Sequence, residues 1–162
     1  TTEIYTLSLH DALPIFTVVK VGGAILEDAE SLSGFLDRFV ALPGLKILVH
    51  GGGRAATRMA AKLGIESKMV EGRRITDAET LEIVTMVYGG LVNKNTVAAL
   101  QARDCNAAGF TGADLNLVKA SKRPVADIDY GFVGDITAVQ SGEFANLLQL
   151  GITPVEIGRA HV

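Results

Sequence analysis

Apolar positions along this chain follow two rhythms, and the switch from one to the other predicts a parallel sheet joined by helices. Thr17-Val18-Val19-Lys20-Val21 and Ile47-Leu48-Val49-His50 are short, almost continuous apolar runs that finish in glycines, Gly22-Gly23 and Gly51-Gly52-Gly53. A run of this length, bounded by glycine and followed by helical periodicity, reads as a buried strand of a parallel sheet, because helices cover both faces of such sheets. After the first turn Leu26, Ala29, Leu32, Leu36, Phe39 and Val40 recur at helical spacing up to Pro43-Gly44, which predicts one crossover helix. After the second, Ala55, Met59, Ala60 and Leu63 predict a helix ended by Gly64.

Downstream, Met69-Val70 and Arg74-Ile75 flank Glu71-Gly72 and predict a hairpin beside the glycine turns. Thr76-Asp77-Ala78-Glu79 matches a capping box, and Leu81, Val84, Tyr88 and Leu91 predict a long helix from about Asp77 to Arg103. Gly89-Gly90 lies in its middle, where each glycine costs roughly 1 kcal/mol against alanine. Either the helix bends there, or a second helix, such as a dimer mate, approaches closely. Asn106 to Phe110 and Leu115 to Val118 read as strands joined at Thr111-Gly112, and Tyr130 to Val139 as a hairpin around Gly134-Asp135. Glu143, Phe144, Leu147, Leu148 and Leu150 predict a last helix, and Ile152 to Val155 the start of another buried strand. The expected class is α/β, a mostly parallel sheet sandwiched by helices.

Composition narrows the function. With 162 residues, 48% hydrophobic and 20% charged, the chain is one domain's worth of globular protein. A net charge of -3, with basic residues scattered except at Arg73-Arg74 and Lys122-Arg123, leaves no electrostatic footprint for nucleic acid. Cys105 is the single cysteine, so no internal disulfide or cysteine-based zinc site forms; this fits a cytoplasmic setting, and Cys105 reads as a small buried apolar residue. No apolar run approaches the roughly 18 residues of a membrane span, and no charged-then-apolar leader opens the chain. Thr1 to Ile15 and Glu156 to Val162 resemble translated sequencing adapters, so the native part is expected to run from Phe16 to Val155. His10, Asp11 and His161 are then kept out of any mechanism, and His50 is the one native histidine.

The glycine turns match neither the dinucleotide fingerprint nor the phosphate loop ending in Gly-Lys-Ser/Thr. Two of them on neighbouring strands would still make an anion site, because glycine lets a ligand approach the backbone and the following helix offers unpaired N–H groups. Lys20 interrupts an apolar strand; a buried ammonium there would need an anion as partner, whereas on an edge strand it would snorkel to solvent. Arg74 could grip a carboxylate with two hydrogen bonds, leaving its neighbour Arg73 solvated. His50 has no evident carboxylate or metal partner and reads as a hydrogen-bonded core residue. The acidic residues show no paired-carboxylate, nucleophile-histidine or metal-ligand spacing. A carboxylate acceptor, already ionised near pH 7, would need no general base, and catalysis could rest on positioning and charge neutralisation.

Four segments in order, Lys20-Val21-Gly22-Gly23-Ala24, His50-Gly51-Gly52-Gly53-Arg54, Gly72-Arg73-Arg74-Ile75-Thr76 and Gly89-Gly90-Leu91-Val92-Asn93-Lys94, resemble the acetylglutamate kinases of the amino acid kinase family. The resemblance covers Phe16 to Val155. It implies phosphorylation of the side-chain carboxylate of N-acetyl-L-glutamate by ATP with Mg, in arginine biosynthesis. It also implies that Lys20 is catalytic, stabilising the transferring phosphoryl group. Gly22, Gly23 and Gly52 would donate to phosphate oxygens, Gly52 and Gly53 would line the acylated amino acid, and Arg74 would bind its α-carboxylate. The long helix would form a homodimer contact, and the hairpin carrying Arg74 would act as a lid. In such kinases a second half holds the nucleotide, and this chain resembles only the amino-acid-substrate half; alone it is expected to show no turnover. Other readings are a succinylglutamate kinase, a carrier-linked aminoadipate kinase, or a non-catalytic sensor of acylated amino acids.

Overall fold

The computed structural model describes residues 16–158. The leader expected over residues 1–15, with His10 and Asp11, lies outside them, as does His161. Strands β1 (Phe16–Val21), β2 (Leu45–His50), β8 (Thr153–Ile157) and β5 (Ala107–Phe110) form one sheet in the order β1-β2-β8-β5, and every pairing in it is parallel. Two antiparallel pairs stand apart from it: β3 (Met69–Val70) with β4 (Arg73–Arg74), and β6 (Val118–Lys122) with β7 (Gly134–Val139).

Helices lie on both faces. Val19, Val21, Leu48, Ala107 and Val155 pack against Leu36 and Phe39 of α2 (Ala29–Ala41) and Leu100 of α5 (Asn93–Gln101). The opposite face brings Ile47, Val49 and Phe110 against Phe144 and Leu148 of α6 (Ser141–Gln149). A third cluster joins α3 (Gly53–Lys62) to α4 (Ala78–Thr85) and Tyr88. Cys105 is buried in the first cluster, as an apolar residue of its size should be.

Several elements differ from the periodicity. The first crossover is two helices, α1 (Gly23–Glu27) and α2, because Asp28 turns extended and caps α2 by accepting from the Ser31 N–H at 2.8 Å. The cap of α4 is Asp77, accepting from Thr80 N at 2.9 Å, whereas Thr76 is buried and paired with the Tyr130 to Phe132 backbone. Leu115 is not in a strand. Asp114 accepts from both the Thr111 N–H and hydroxyl, which winds residues 114–116 into a single 3-10 turn. Gly134-Asp135 likewise marks the start of β7 and no hairpin turn, since β7 pairs with β6 and Asp135 is held by Arg123. The hairpin at Glu71-Gly72 forms as expected, with φ of 50° and 74° at the two turn residues.

The long helix is continuous from Ala78 to Gln101, but residues Met86–Val92 form a π-helix. In an α-helix residues five apart are about 140° apart around the axis; the wider π turn, bonded i to i+5, brings them toward one face. Tyr88 and Asn93 thereby both face inward and are buried. Gly89-Gly90 sits in the middle of this turn, and an added Cβ at Gly90 would meet nothing. The glycine pair therefore coincides with a local distortion of the helix.

Candidate functional site

The register of the first two strands decides the geometry. Val21 is the partner of His50, so Gly22-Gly23 and Gly51-Gly52-Gly53 leave the sheet side by side at its carboxyl end, where open α/β sheets take their ligands. Gly23 and Gly52 both line a cleft of about 220 Å³, together with Leu26, Ala55 and Leu91. Gly52 precedes α3 and offers no side-chain cap, so the first-turn N–H groups of this ten-residue helix have no side-chain acceptor there. That is the arrangement an anion needs. The helix after the first turn is only five residues long and adds little dipole.

Gly52 has a steric reason for being glycine. A Cβ there would lie 2.6 and 2.8 Å from the Cδ1 and Cε1 atoms of the Tyr88 ring. The π turn thus brings an aromatic ring close against the backbone of the second glycine turn.

Arg74 reaches the same helix start from the hairpin. Its Nη2 donates to the Gly53 carbonyl at 2.7 Å and to Thr57 Oγ1 at 2.6 Å, while the Thr57 hydroxyl donates to the Gly53 carbonyl at 3.0 Å. The Nε atom is buried without an acceptor among the described residues. The guanidinium is therefore fixed to α3 through Nη2, and the buried Nε on that same edge is left unsatisfied among the described residues. Arg73 is exposed, its guanidinium 5.9 Å from the Tyr130 ring centre. Arg74→Lys keeps the charge and loses the fork. If Arg74 binds the substrate carboxylate, a kinetic comparison of the full-length enzymes should show KM for the acylated amino acid raised about 10- to 100-fold with kcat little changed.

Lys20 is placed otherwise than its apolar neighbours suggested. Strand β1 is the edge of the sheet, and Lys20 is exposed, as is Val18 on the same face at 56%. The premise of a buried ammonium fails, because the face that would bury it is uncovered among the described residues. What remains is position: Lys20 stands two residues before Gly22, at the lip of the first turn.

His50 is fully buried, and its hydrogen bonds define its state. Asn93 Nδ2 lies 2.9 Å from the Val155 carbonyl, which can only accept, and 3.0 Å from His50 Nε2. Both amide hydrogens are thereby used, so Nε2 accepts. Nδ1 then carries the proton and donates to the Gly51 carbonyl at 2.7 Å. Burial holds the imidazole below its ordinary pKa, in keeping with a neutral ring. His50 is thus a hydrogen-bonded core residue.

Glu156 of β8 is the group most displaced from its ordinary titration. It is 5% exposed, neither carboxylate oxygen has a hydrogen-bond partner within bonding geometry among the described residues, and burial raises its pKa to about 7, outweighing the pull of the nearby Ile157 backbone N–H, with Asp114 adding to the rise. In the sheet Lys20 pairs with Val49 and Val49 with Glu156, so lysine and glutamate share a face two strand spacings apart, about 10 Å, too far to pair.

The parts that Thr57, Tyr88 and Asn93 play at the site were not visible in the sequence. Each acts through a partner 17 to 62 positions away in the chain, and no local spacing announces such a contact.

These features, a parallel α/β sheet with glycine turns at its carboxyl end, agree with the comparison to known proteins: the amino acid kinase family profile matches residues 16–158, and the chain belongs to that family. The similar curated relatives include acetylglutamate kinases from Phocaeicola vulgatus, 61% identical over 145 residues, and Parabacteroides distasonis, 63% identical over 138. These alignments cover 90% and 85% of this chain but 56% and 54% of the relatives, so the chain spans about half their length. Among solved structures, N-acetylglutamate synthase from Neisseria gonorrhoeae superposes with a TM-score of 0.71 at 22% identity, covering 90% of this chain and 34% of the other. An isopentenyl phosphate kinase superposes at 0.54 and 19%, covering 90% and 57%. At such identities the likeness concerns the fold.

Proposed function

We propose that this chain is the amino-acid-substrate half of a kinase that uses ATP with Mg to phosphorylate the side-chain carboxylate of N-acetyl-L-glutamate. The observation that carries this reading is the Val21–His50 register, which sets two uncapped glycine turns side by side. On this reading, Gly22, Gly23 and Gly52 donate N–H groups to oxygens of the moving phosphoryl group, and the Lys20 ammonium neutralises charge that builds up there. Gly52 and Gly53 line the acylated amino acid, and Arg74 takes its α-carboxylate. The acceptor carboxylate is itself the nucleophile, so no proton has to be removed. Magnesium arrives with the nucleotide; among the described residues no group of three acidic, histidine or cysteine side chains is placed to hold a metal. Arginine biosynthesis in the cytoplasm would be the setting.

The missing half would supply the nucleotide site. Exposed Met86, Gly90 and Leu91 on the long helix suit a contact with a second copy, the proposed homodimer.

Coupled-assay kinetics test the proposal. The 162-residue chain alone should form no acyl phosphate, and the full-length enzyme should. Lys20→Met in the full-length enzyme should lower kcat about 100- to 1000-fold with little change in the KM for N-acetylglutamate. Turnover by the chain alone, or an unchanged kcat, would overturn the assignment.

A further inference from the structure

We infer that His50 and Asn93 are positioning residues: together they set the plane of the Gly51–Gly52 peptide so that the Gly52 N–H faces the anion site. The inference rests on the proposed role of that amide and adds the device that aims it. His50 Nδ1 donates to the Gly51 carbonyl at 2.7 Å. The described residues contain no cis peptide, and in a trans peptide the N–H points opposite to the C=O. Fixing the Gly51 carbonyl toward the buried ring therefore turns the Gly52 N–H away from it. The ring cannot serve this role alone. An imidazole with its proton on Nε2 would present a bare Nδ1 lone pair to the Gly51 carbonyl, and the two acceptors would repel.

Asn93 removes that choice. Its amide nitrogen is held by the Val155 carbonyl and presents its second hydrogen to Nε2, which selects the tautomer with the proton on Nδ1. Asn93 gets there because the π turn rotates it inward as it does Tyr88, whose ring packs against Gly52. A close approach at β5 makes room for it: a Cβ on Gly109 would collide with Asn93 Oδ1. One helical distortion thus supplies both contacts on the second glycine turn.

The test follows the Gly52 amide resonance of the ¹⁵N-labelled chain during titration with inorganic phosphate. Gly52, Gly22 and Gly23 should shift saturably in the unaltered chain. His50→Leu and Asn93→Leu should weaken the Gly52 response about tenfold while leaving those of Gly22 and Gly23 in place. His50→Asn, whose amide nitrogen stands where Nδ1 stood, should restore most of it. An equal Gly52 response in the leucine variants would overturn the positioning role and leave the anion site intact. No Gly52 response in the unaltered chain would overturn both. Should the leucine variants fail to fold, imidazole ¹⁵N shifts of the unaltered chain decide: a proton on Nε2 refutes the inference.

Discussion

Gly52→Ala is expected to lower the thermal midpoint by roughly 5–10 °C and to abolish most kinase activity in the full-length enzyme. The added methyl would stand 2.6 to 3.3 Å from three atoms of the Tyr88 ring. That ring is 3% exposed and packed among Ala56, Ala60, Val84 and Val87, so it has no space into which to retreat. The strain falls on the backbone, at an overpacking cost of about 1–3 kcal/mol, and displaces the amide assigned to the phosphoryl group. Gly51→Ala is the control, because a Cβ there meets nothing within 4 Å. Calorimetry should find it within about 1 kcal/mol of the parent. Equal destabilisation by both substitutions would mean that the clash with Tyr88 is not what makes Gly52 special.

Glu156→Leu should stabilise the chain at pH 8 by about 3 kcal/mol and reshape its pH profile. The folded pKa of about 7 lies above the ordinary 4.5, so between those values the folded chain holds a proton that the unfolded chain has lost. Stability must then fall as pH rises from 4.5 through 7 and level off above it, and the gap corresponds to roughly 3 kcal/mol. Leucine removes that fall. His50 contributes with the opposite sign: its folded pKa is lowered, so its share of the stability is present above 6.5 and is lost as pH falls below that value. Urea melts from pH 4 to 8 should therefore show a declining midpoint for the parent on the alkaline side and a flat or rising one for the variant. A parent profile with no decline between pH 5 and 7 would mean that Glu156 finds a partner in solution.

What the sequence made visible was whatever depends on near neighbours. Strands β1 and β2, the end of α3 at Gly64 and the Glu71-Gly72 turn follow from runs, breakers and turn residues within a few positions. The parallel pairing of β1 with β2 follows from the crossover between them. Asp28 was hidden because helical spacing of Leu26, Ala29 and Leu32 runs through it, although an aspartate three residues before Ser31 is a legible cap. Leu115 and Gly134 misled for a related reason. Apolar residues near a glycine suggest a strand or a turn, but the Asp114 and Asp135 side chains choose otherwise through bonds to Thr111 and Arg123.

The site divides in the same way. Gly22, Gly23, Gly52, Gly53 and Arg74 could be read from turns and charge, and the structure gathers all of them around the start of α3 or the strand beside it. For Lys20 the sequence left burial against an anion and snorkelling from an edge strand both open, and the structure takes the second, since sequence does not say which strand of a parallel sheet is the edge. The π turn was unreadable as such: a glycine pair signals some departure from a regular helix, but the residues that Tyr88 and Asn93 meet through this one, Gly52 and His50, lie across the fold. The contacts of Asn93 and Thr57 are invisible for that reason too.

A crystal structure of the full-length enzyme with a non-hydrolysable ATP analogue, Mg and N-acetylglutamate tests the central claim most directly. The γ-phosphate is predicted to lie about 3 Å from the amide nitrogens of Gly22 or Gly23 and of Gly52, with the acceptor carboxylate beside it. A γ-phosphate bound at any other face of the sheet, with these amides turned to solvent, would contradict the account.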